Sequence, residues 1–252
     1  MTPVVIDLYH GDLVDGHECE GFEAAKESGI LGIIHKCTQG AGMVDALYAY
    51  RRRFAEQYAL LWGAYHFNTG ESTLAQFNNI FAHAEPDAKT FLAIDFEDNK
   101  LSNMSITQLV DLLELCDGKL GRPTAVYGGN RLKEHMAELT ADAKAFLVNR
   151  PLWLCQYGPK PVCPDGWKVP FLWQYTGDGI GPTPHKVSGF TGNAMDLNIY
   201  FGSDLAKAWA PGVQVADPSL PHGDIAPPPP KPVAPHEPWV EELLSIAHRL
   251  GW

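Results

Sequence analysis

An α/β fold, an irregular (β/α) barrel of the TIM-barrel kind, is what three features of this 252-residue sequence predict. Eight short apolar runs recur along it at a regular beat, segments with helical spacing separate several of the early ones, and three of the runs carry acids at their ends. Unbroken apolar runs are the form of strands buried on both faces, as the ring of a barrel is. Acids that terminate such runs suit the rim of a barrel, where strand ends surround a functional site.

In order, the runs are Val4-Val5-Ile6, Leu31-Gly32-Ile33-Ile34, Leu60-Leu61-Trp62-Gly63-Ala64-Tyr65, Phe91-Leu92-Ala93-Ile94, Thr124-Ala125-Val126-Tyr127, Leu152-Trp153-Leu154, Phe171-Leu172-Trp173 and Met195-Asp196-Leu197. A helix is predicted over 20–28, stopped by Gly29. A second, over 45–58, carries Leu47, Tyr50, Phe54 and Tyr58 at three- and four-residue steps. A third, over 105–120, opens on Ser105 as N-cap and stops at Gly121. From Leu152 to Asp196 the connections are polar and rich in Gly and Pro, so the second half of the barrel is expected to have reduced helices.

Composition changes after Trp209. Ten of the 20 prolines fall between Pro211 and Pro238, including Pro227-Pro228-Pro229-Pro230. The expected organisation is a barrel over 1–210, a Pro-rich linker over 211–238 and a short amphipathic helix over 239–252. That helix would gather Trp239, Leu243, Ile246, Ala247 and Leu250 on one face and, being short, must dock on a partner, whose identity the sequence leaves open.

Hydrophobic residues at 45% and charged residues at 19% are ordinary for a globular protein. Nineteen Lys and Arg against 30 Asp and Glu leave a net charge of −11, which repels phosphate backbones and argues against a nucleic-acid partner. No apolar stretch is long enough for stable membrane insertion. The start, Met1-Thr2-Pro3-Val4-Val5-Ile6-Asp7, lacks the basic opening of a signal peptide, so synthesis in the cytoplasm without one is expected. Cys19, Cys37, Cys116, Cys155 and Cys163 are scattered and odd in number, and read mainly as free thiols, with a Cys155–Cys163 bridge as the alternative. No metal-ligand spacing surrounds them or His10, His35 and His66, and no cofactor is expected.

The chemistry concentrates in four acids. On a strand, residues two apart share a face, so Asp95 and Glu97 in Ile94-Asp95-Phe96-Glu97-Asp98 should project together. Asp7 ends the first strand and Asp196 the last, and in a closed barrel those strands are neighbours. Four carboxyls converging on one mouth cannot all ionise, and a protonated acid beside an ionised one is the apparatus of glycoside hydrolysis. Tyr65, Phe67, Tyr127, Trp153, Tyr157, Trp173 and Tyr175 fall near strand ends, where flat rings with polar tips suit sugars; His66 is read as a hydrogen-bonding residue.

Taken together, these stretches resemble the muramidases of glycoside hydrolase family 25. The likeness rests on Ile6-Asp7, Ile34-His35-Lys36-Cys37-Thr38-Gln39-Gly40, Gly63-Ala64-Tyr65-His66-Phe67, Ile94-Asp95-Phe96-Glu97, Ala125-Val126-Tyr127, Leu152-Trp153-Leu154-Cys155-Gln156-Tyr157, Trp173-Gln174-Tyr175 and Met195-Asp196-Leu197-Asn198, in the family's order from about Val4 to Phe201. It implies cleavage of the β-1,4 bond between N-acetylmuramic acid and N-acetylglucosamine, with peptidoglycan strands as the partner. By position, Glu97 would be the general acid, Asp95 would steady the 2-acetamido group, and Asp7 and Asp196 would tune the site. Tyr65, Phe67, Tyr127, Trp153, Gln156, Tyr157, Trp173 and Gln174 would contact substrate. Attack by the acetamido oxygen is favoured over attack by a carboxylate such as Asp196. The family commonly has Glu where Gln39 stands and small polar residues where Tyr9 stands, so cleft shape is expected to differ. A phage endolysin acting on the wall after host lysis, or a wall enzyme exported by a non-classical route, fits this reading. The alternatives are a chitinase-like hydrolase of another N-acetylated glycan and a catalytically silent glycan-binding barrel.

Overall fold

A computed structural model describes residues 2–210 apart from Leu101 and Asn193. The predicted linker (211–238) and terminal helix (239–252) lie outside the described residues. Eight strands form the ring: β1 (Val5–Leu8), β3 (Gly32–Gln39), β5 (Leu61–Phe67), β6 (Phe91–Asp95), β7 (Ala125–Gly128), β8 (Leu152–Cys155), β9 (Leu172–Thr176) and β11 (Asp196–Tyr200). Each grows from one of the eight apolar runs. The ring closes because β1 pairs with β3 on one side and with β11 on the other. Three two-residue strands decorate the rim: β4 (Met43–Val44) extends β3, while β2 (Leu13–Val14) pairs with β10 (Phe190–Thr191).

The helices are α1 (Glu18–Glu27), α2 (Tyr48–Gln57), α3 (Thr73–His83), α4 (Ile106–Leu120), α5 (Asn130–His135), α6 (Ala141–Val148) and α7 (Leu205–Ala208). Helix α4 shows how the sequence sets its limits. Ser105 accepts from the Gln108 N–H while Gln108 reaches back to the Ser105 N–H, a reciprocal cap, and Gly121 ends the helix in the left-handed region at φ 67°. Its buried face, Ile106, Leu109, Val110, Leu113 and Cys116, follows the three- and four-residue steps of a helix lying on a sheet. Helices α3, α5 and α6 were not among the sequence expectations, although Ser72 and Thr140 cap α3 and α6 through their hydroxyls. Among the described residues, no helix lies between β8 and β9 or between β9 and β11, as the polar composition there led one to expect.

One expectation is corrected. Asp196 does not end the last strand; it opens it. β11 runs antiparallel to both β1 and β9, whereas the other pairings around the ring are parallel. A parallel return needs a crossover that carries the chain back across the barrel, usually a helix. The segment between β9 and β11 has none, so the chain turns at the rim and descends. The start of β11 therefore sits at the same end as the finish of β1, and Asp7 and Asp196 are direct register partners.

Inside the ring, Val5, Ile34, Phe91, Ala93, Ala125, Trp153 and Leu172 pack with Trp209, whose indole N–H bonds the Trp62 carbonyl at 2.8 Å. Outside it, a larger cluster fills the space beneath the helices and loops. Arg51 of α2 is the polar exception: fully buried, it bonds Glu18, the carbonyls of Tyr9 and Asp12, and the His35 ring. It thereby ties down the loop that follows β1. Arg51→Met should cost roughly 3 kcal/mol, because Glu18 and two carbonyls lose their partner together. Urea unfolding of the two proteins measures this; a loss within about 0.5 kcal/mol would mean the loop finds other partners.

Candidate active site

The site follows from the period of two along each strand. One inward step further up, Val5 gives way to Asp7, Ile34 to Lys36, Ala93 to Asp95, Ala125 to Tyr127, Trp153 to Cys155 and Leu172 to Gln174. The uppermost inward layer of an apolar barrel is thus polar. From the reversed strand, Asp196 enters the same layer beside Asp7, and Asn198, opposite Val5, lies one step below it. Glu97 lies two residues past the end of β6, not on the strand as expected, and its carboxyl reaches the same group, where the Cys155 thiol and the Tyr127 hydroxyl favour its ionised form.

Each of the four acids is perturbed. Burial pushes Asp7 up to about 7, against hydrogen bonds from Asn198 and Gln174 that pull it down. Burial, then the neighbouring charge of Asp7, pushes Asp196 up to about 9. Asp95 stands well above the usual carboxylate range through burial and then the charge of Glu97, with Lys36 partly offsetting both. Glu97 is raised mainly by burial, with Asp178 and Asp98 adding repulsion. The layer therefore holds protons near neutral pH. Two carboxyl oxygens in it, Oδ1 of Asp95 and Oδ1 of Asp196, are buried with no hydrogen-bond partner among the described residues. Such orphans are rare in folded proteins and mark a place where something else is to be bound.

Around the acids, Tyr65, Phe67, Gln156 and Tyr157 are half-buried at the rim. The Lys36 ammonium lies 4.8 Å from the centre of the Phe67 ring and 2.6 Å from Gln39 Oε1. A Cβ placed on Gly177 would fall 2.2 Å from Asp196 Oδ1 and 2.3 Å from the Tyr157 hydroxyl oxygen, so only glycine lets those two groups crowd there. Tyr127, Trp153 and Gln174 are buried, their polar tips bonded inside the protein. Trp173 and Tyr175 belong to the other face of β9, packed in the outer cluster, and the Trp173 N–H holds the Gln156 carbonyl at 2.7 Å. His35 and His66 likewise face outward, each buried and lowered to about 4, mainly by burial. His66 spans Thr38 and Gln76 as a hydrogen-bonding residue. His10 pairs with Asp45 at 2.8 Å. Among the described residues, no group of His, Cys, Asp and Glu is arranged to hold a metal, and all five cysteines, Cys155 and Cys163 included, are free thiols.

Several groups at the mouth escaped the sequence reading. Lys36, Cys155 and Asn198 stood inside the quoted motifs without roles, although counting two residues along each strand places them on the inward face. Asp178 and Asp12 sit on loops, where no periodicity points. Burial raises Asp12 to about 6, and its carboxylate accepts the Tyr9 N–H at 2.6 Å.

Residues 6–183 match the sequence profile of the glycosyl hydrolases family 25. The chain belongs to that family. It is accordingly a glycoside hydrolase. No curated protein matches it at the level of sequence. Among solved structures it is similar to a bacterial lysozyme from Streptomyces coelicolor, with 22% identity and a TM-score of 0.68 over 81% of this chain and 95% of that one. A muramidase from Acremonium alcalophilum follows at 21% identity and TM-score 0.65, covering 81% and 97%. The catalytic domain of the endolysin ply40 from the Listeria monocytogenes bacteriophage P40 gives 18% identity and TM-score 0.59, covering 83% and 98%. These likenesses extend over the whole barrel and establish its fold.

The raised carboxyls have a consequence for stability. Between the unfolded value near 4 and the folded value of about 9, folded Asp196 binds a proton that the unfolded chain does not. Its contribution to stability therefore falls as pH rises through that window. Asp196→Asn should melt higher than wild type at pH 8 and lose most of that advantage at pH 4. Calorimetry at the two pH values checks this; an advantage independent of pH would show that Asp196 is ionised in the folded protein.

Proposed function

We propose that this family 25 glycoside hydrolase is a peptidoglycan hydrolase, an N-acetylmuramidase that cuts the β-1,4 bond between N-acetylmuramic acid and N-acetylglucosamine. The observation that carries the proposal is the pair Asp95 and Glu97: a buried and a half-buried carboxyl, both raised, side by side at the open end of the barrel, the first with an unpartnered oxygen. Glu97, protonated, gives its proton to the glycosidic oxygen as the bond breaks. The acetamido oxygen of the sugar on the non-reducing side closes on its own anomeric carbon from the opposite face. Asp95 Oδ1 takes the acetamido N–H and steadies the positive charge that forms, which the neighbouring carboxyls of Glu97 and Asp7 also favour. Glu97, now ionised, then draws a proton from water as that water opens the ring, and the anomeric configuration is retained. Asp7 and Asp196 set the proton occupancy of the pair.

Tyr65, Phe67, Gln156 and Tyr157 are assigned to the substrate itself, being half-buried at the rim. Tyr127, Trp153 and Gln174 are assigned to holding the acids, and Trp173 to holding the Gln156 loop. The lysozyme, muramidase and endolysin named in the related structures support the wall as the place of action.

The direct test is reducing-sugar release from purified peptidoglycan. Wild type should leave muramic acid at the new reducing ends, and Glu97→Gln should lower the rate by at least about 10²-fold. Release from chitin but not from peptidoglycan would move the assignment to a chitinase-like hydrolase, and no release from either would leave a binding barrel. The acetamido step has its own check: a glycan deacetylated at the 2-amino position should be cut far more slowly. Equal rates on both substrates would put a carboxylate, Asp196, in the attacking role.

A further inference from the structure

The loop after β1 carries an exposed ring that the chemistry at the acids does not use. Asp7 lies in the polar layer and Leu8 ends β1, so Tyr9 stands above that layer, at the rim. It is 44% exposed and Asp95 only 4%, so the two belong to different depths of one mouth. Burial first, and then the charges of Asp12, Asp178, Asp196 and Asp45, raise its phenol above the ordinary tyrosine value. Its hydroxyl is therefore within reach of acids on β11 and on the loop after β9. Around the ring β1 is three strands from β6, so this flank faces Glu97 across the opening. Single exposed aromatics are common on protein surfaces and ask for no explanation. Tyr9 differs in being fixed. Its N–H is held by Asp12 Oδ2 at 2.6 Å and its carbonyl by the buried Arg51 guanidinium at 2.9 Å. The His10 ring meets it edge-on with centroids 5.1 Å apart, and His10 is itself bonded through Nδ1 and its backbone N–H to buried Asp45. The tyrosine ring lies against Gly11, where a Cβ would overlap its Cζ and hydroxyl oxygen. Ordering an exposed side chain costs entropy and returns little unless something binds to it.

We propose that Tyr9, seated on Gly11, is a fixed platform for a sugar of the glycan other than the one whose acetamido group meets Asp95. It sets how firmly the substrate is held, not how fast it reacts. The proposal rests on the reading of the mouth as a glycan cleft. A glycan with one acetamido group down at Asp95 must rise out of the mouth on either side of that sugar, and the exposed ring of Tyr9 stands at the height of the rise. The faces of β-1,4-linked sugars are rows of C–H groups, which pack flat on an aromatic ring. What the ring recognises is thus a sugar face, which N-acetylglucosamine and N-acetylmuramic acid share. A ring already held in place loses little freedom when the sugar arrives, so most of its contact counts toward affinity.

Steady-state kinetics on solubilised peptidoglycan separates holding from reacting. Tyr9→Ala should raise KM about tenfold and keep kcat within about twofold, while Tyr9→Phe, which keeps the ring, restores KM. Gly11→Ala, which leaves the tyrosine but fills its seat, should fall between the two. A loss in kcat at unchanged KM would put the ring on the reacting sugar, and a Phe variant as weak as Ala would put the effect in the hydroxyl. Either result, or a Tyr9→Ala enzyme equal to wild type, overturns the proposal. Cosedimentation of Glu97→Gln with insoluble peptidoglycan or chitin needs no turnover, and adding Tyr9→Ala should weaken binding about tenfold on whichever glycan is held. If wild type cuts neither glycan and this loss still appears, the platform stands and the assignment of the reaction alone fails. Equal binding with and without the ring overturns the platform, whatever wild type cuts.

Discussion

Four carboxyls share the last inward layer of a closed barrel, and their repulsion in a space with little water is the constraint the rest of the molecule accommodates. A buried carboxylate costs several kcal/mol unless it is paired or protonated. The described residues supply the layer with one nearby cation, Lys36, which lies against Phe67 and Gln39 as well as facing Asp95. The remaining cost is met by protons and by amide donors. That is why the acids are raised, and why a barrel whose lower layers are apolar but for Asn198 ends in a polar one. The stability lost in the mouth is offset by the packing beneath it, where Trp209 closes the bottom of the ring against Phe91 and the glycines of β3 and β5.

Reversal of the last strand is what makes the layer possible. Had β11 run parallel to its neighbours, Asp196 at its start would have lain at the far end of the barrel from Asp7. Running down, it places Asp196 beside Asp7 and, two residues on, Asn198 below it, where Trp153 can fix the amide. The absence of a helix after β9 is therefore a condition of the site, linking a Gly- and Pro-rich stretch of sequence directly to the chemistry above it. Arg51 plays a parallel part on the opposite flank by holding the loop after β1, which brings Tyr9 and Asp12 to the mouth.

Much of this was legible beforehand, because the signals were physical. A strand buried on both faces must read as an unbroken apolar run, and all eight runs became ring strands. Acids placed at the ends of such runs have few bland explanations, and Asp7, Asp95, Glu97 and Asp196 do converge. What stayed hidden depends on direction and face. Composition cannot tell an ascending strand from a descending one, so Asp196 was expected at the wrong end of β11. Proximity to a strand end did not separate Trp153, facing inward, from Trp173, facing outward, although counting by twos along β8 and β9 would have. Asp178 lies on a loop whose path only the folded chain reveals.

The account turns on proton occupancy, and 13C NMR titration of the side-chain carboxyls of Asp7, Asp95, Glu97 and Asp196 in the free enzyme tests it most directly. The account predicts that at pH 6 Asp7 and Asp196 are still largely protonated, with midpoints of about 7 and about 9, and that Asp95 and Glu97 titrate above the ordinary carboxylate range. Four carboxyls all titrating close to pH 4 would contradict it, and would mean that the layer is open to water and that no acid is poised there.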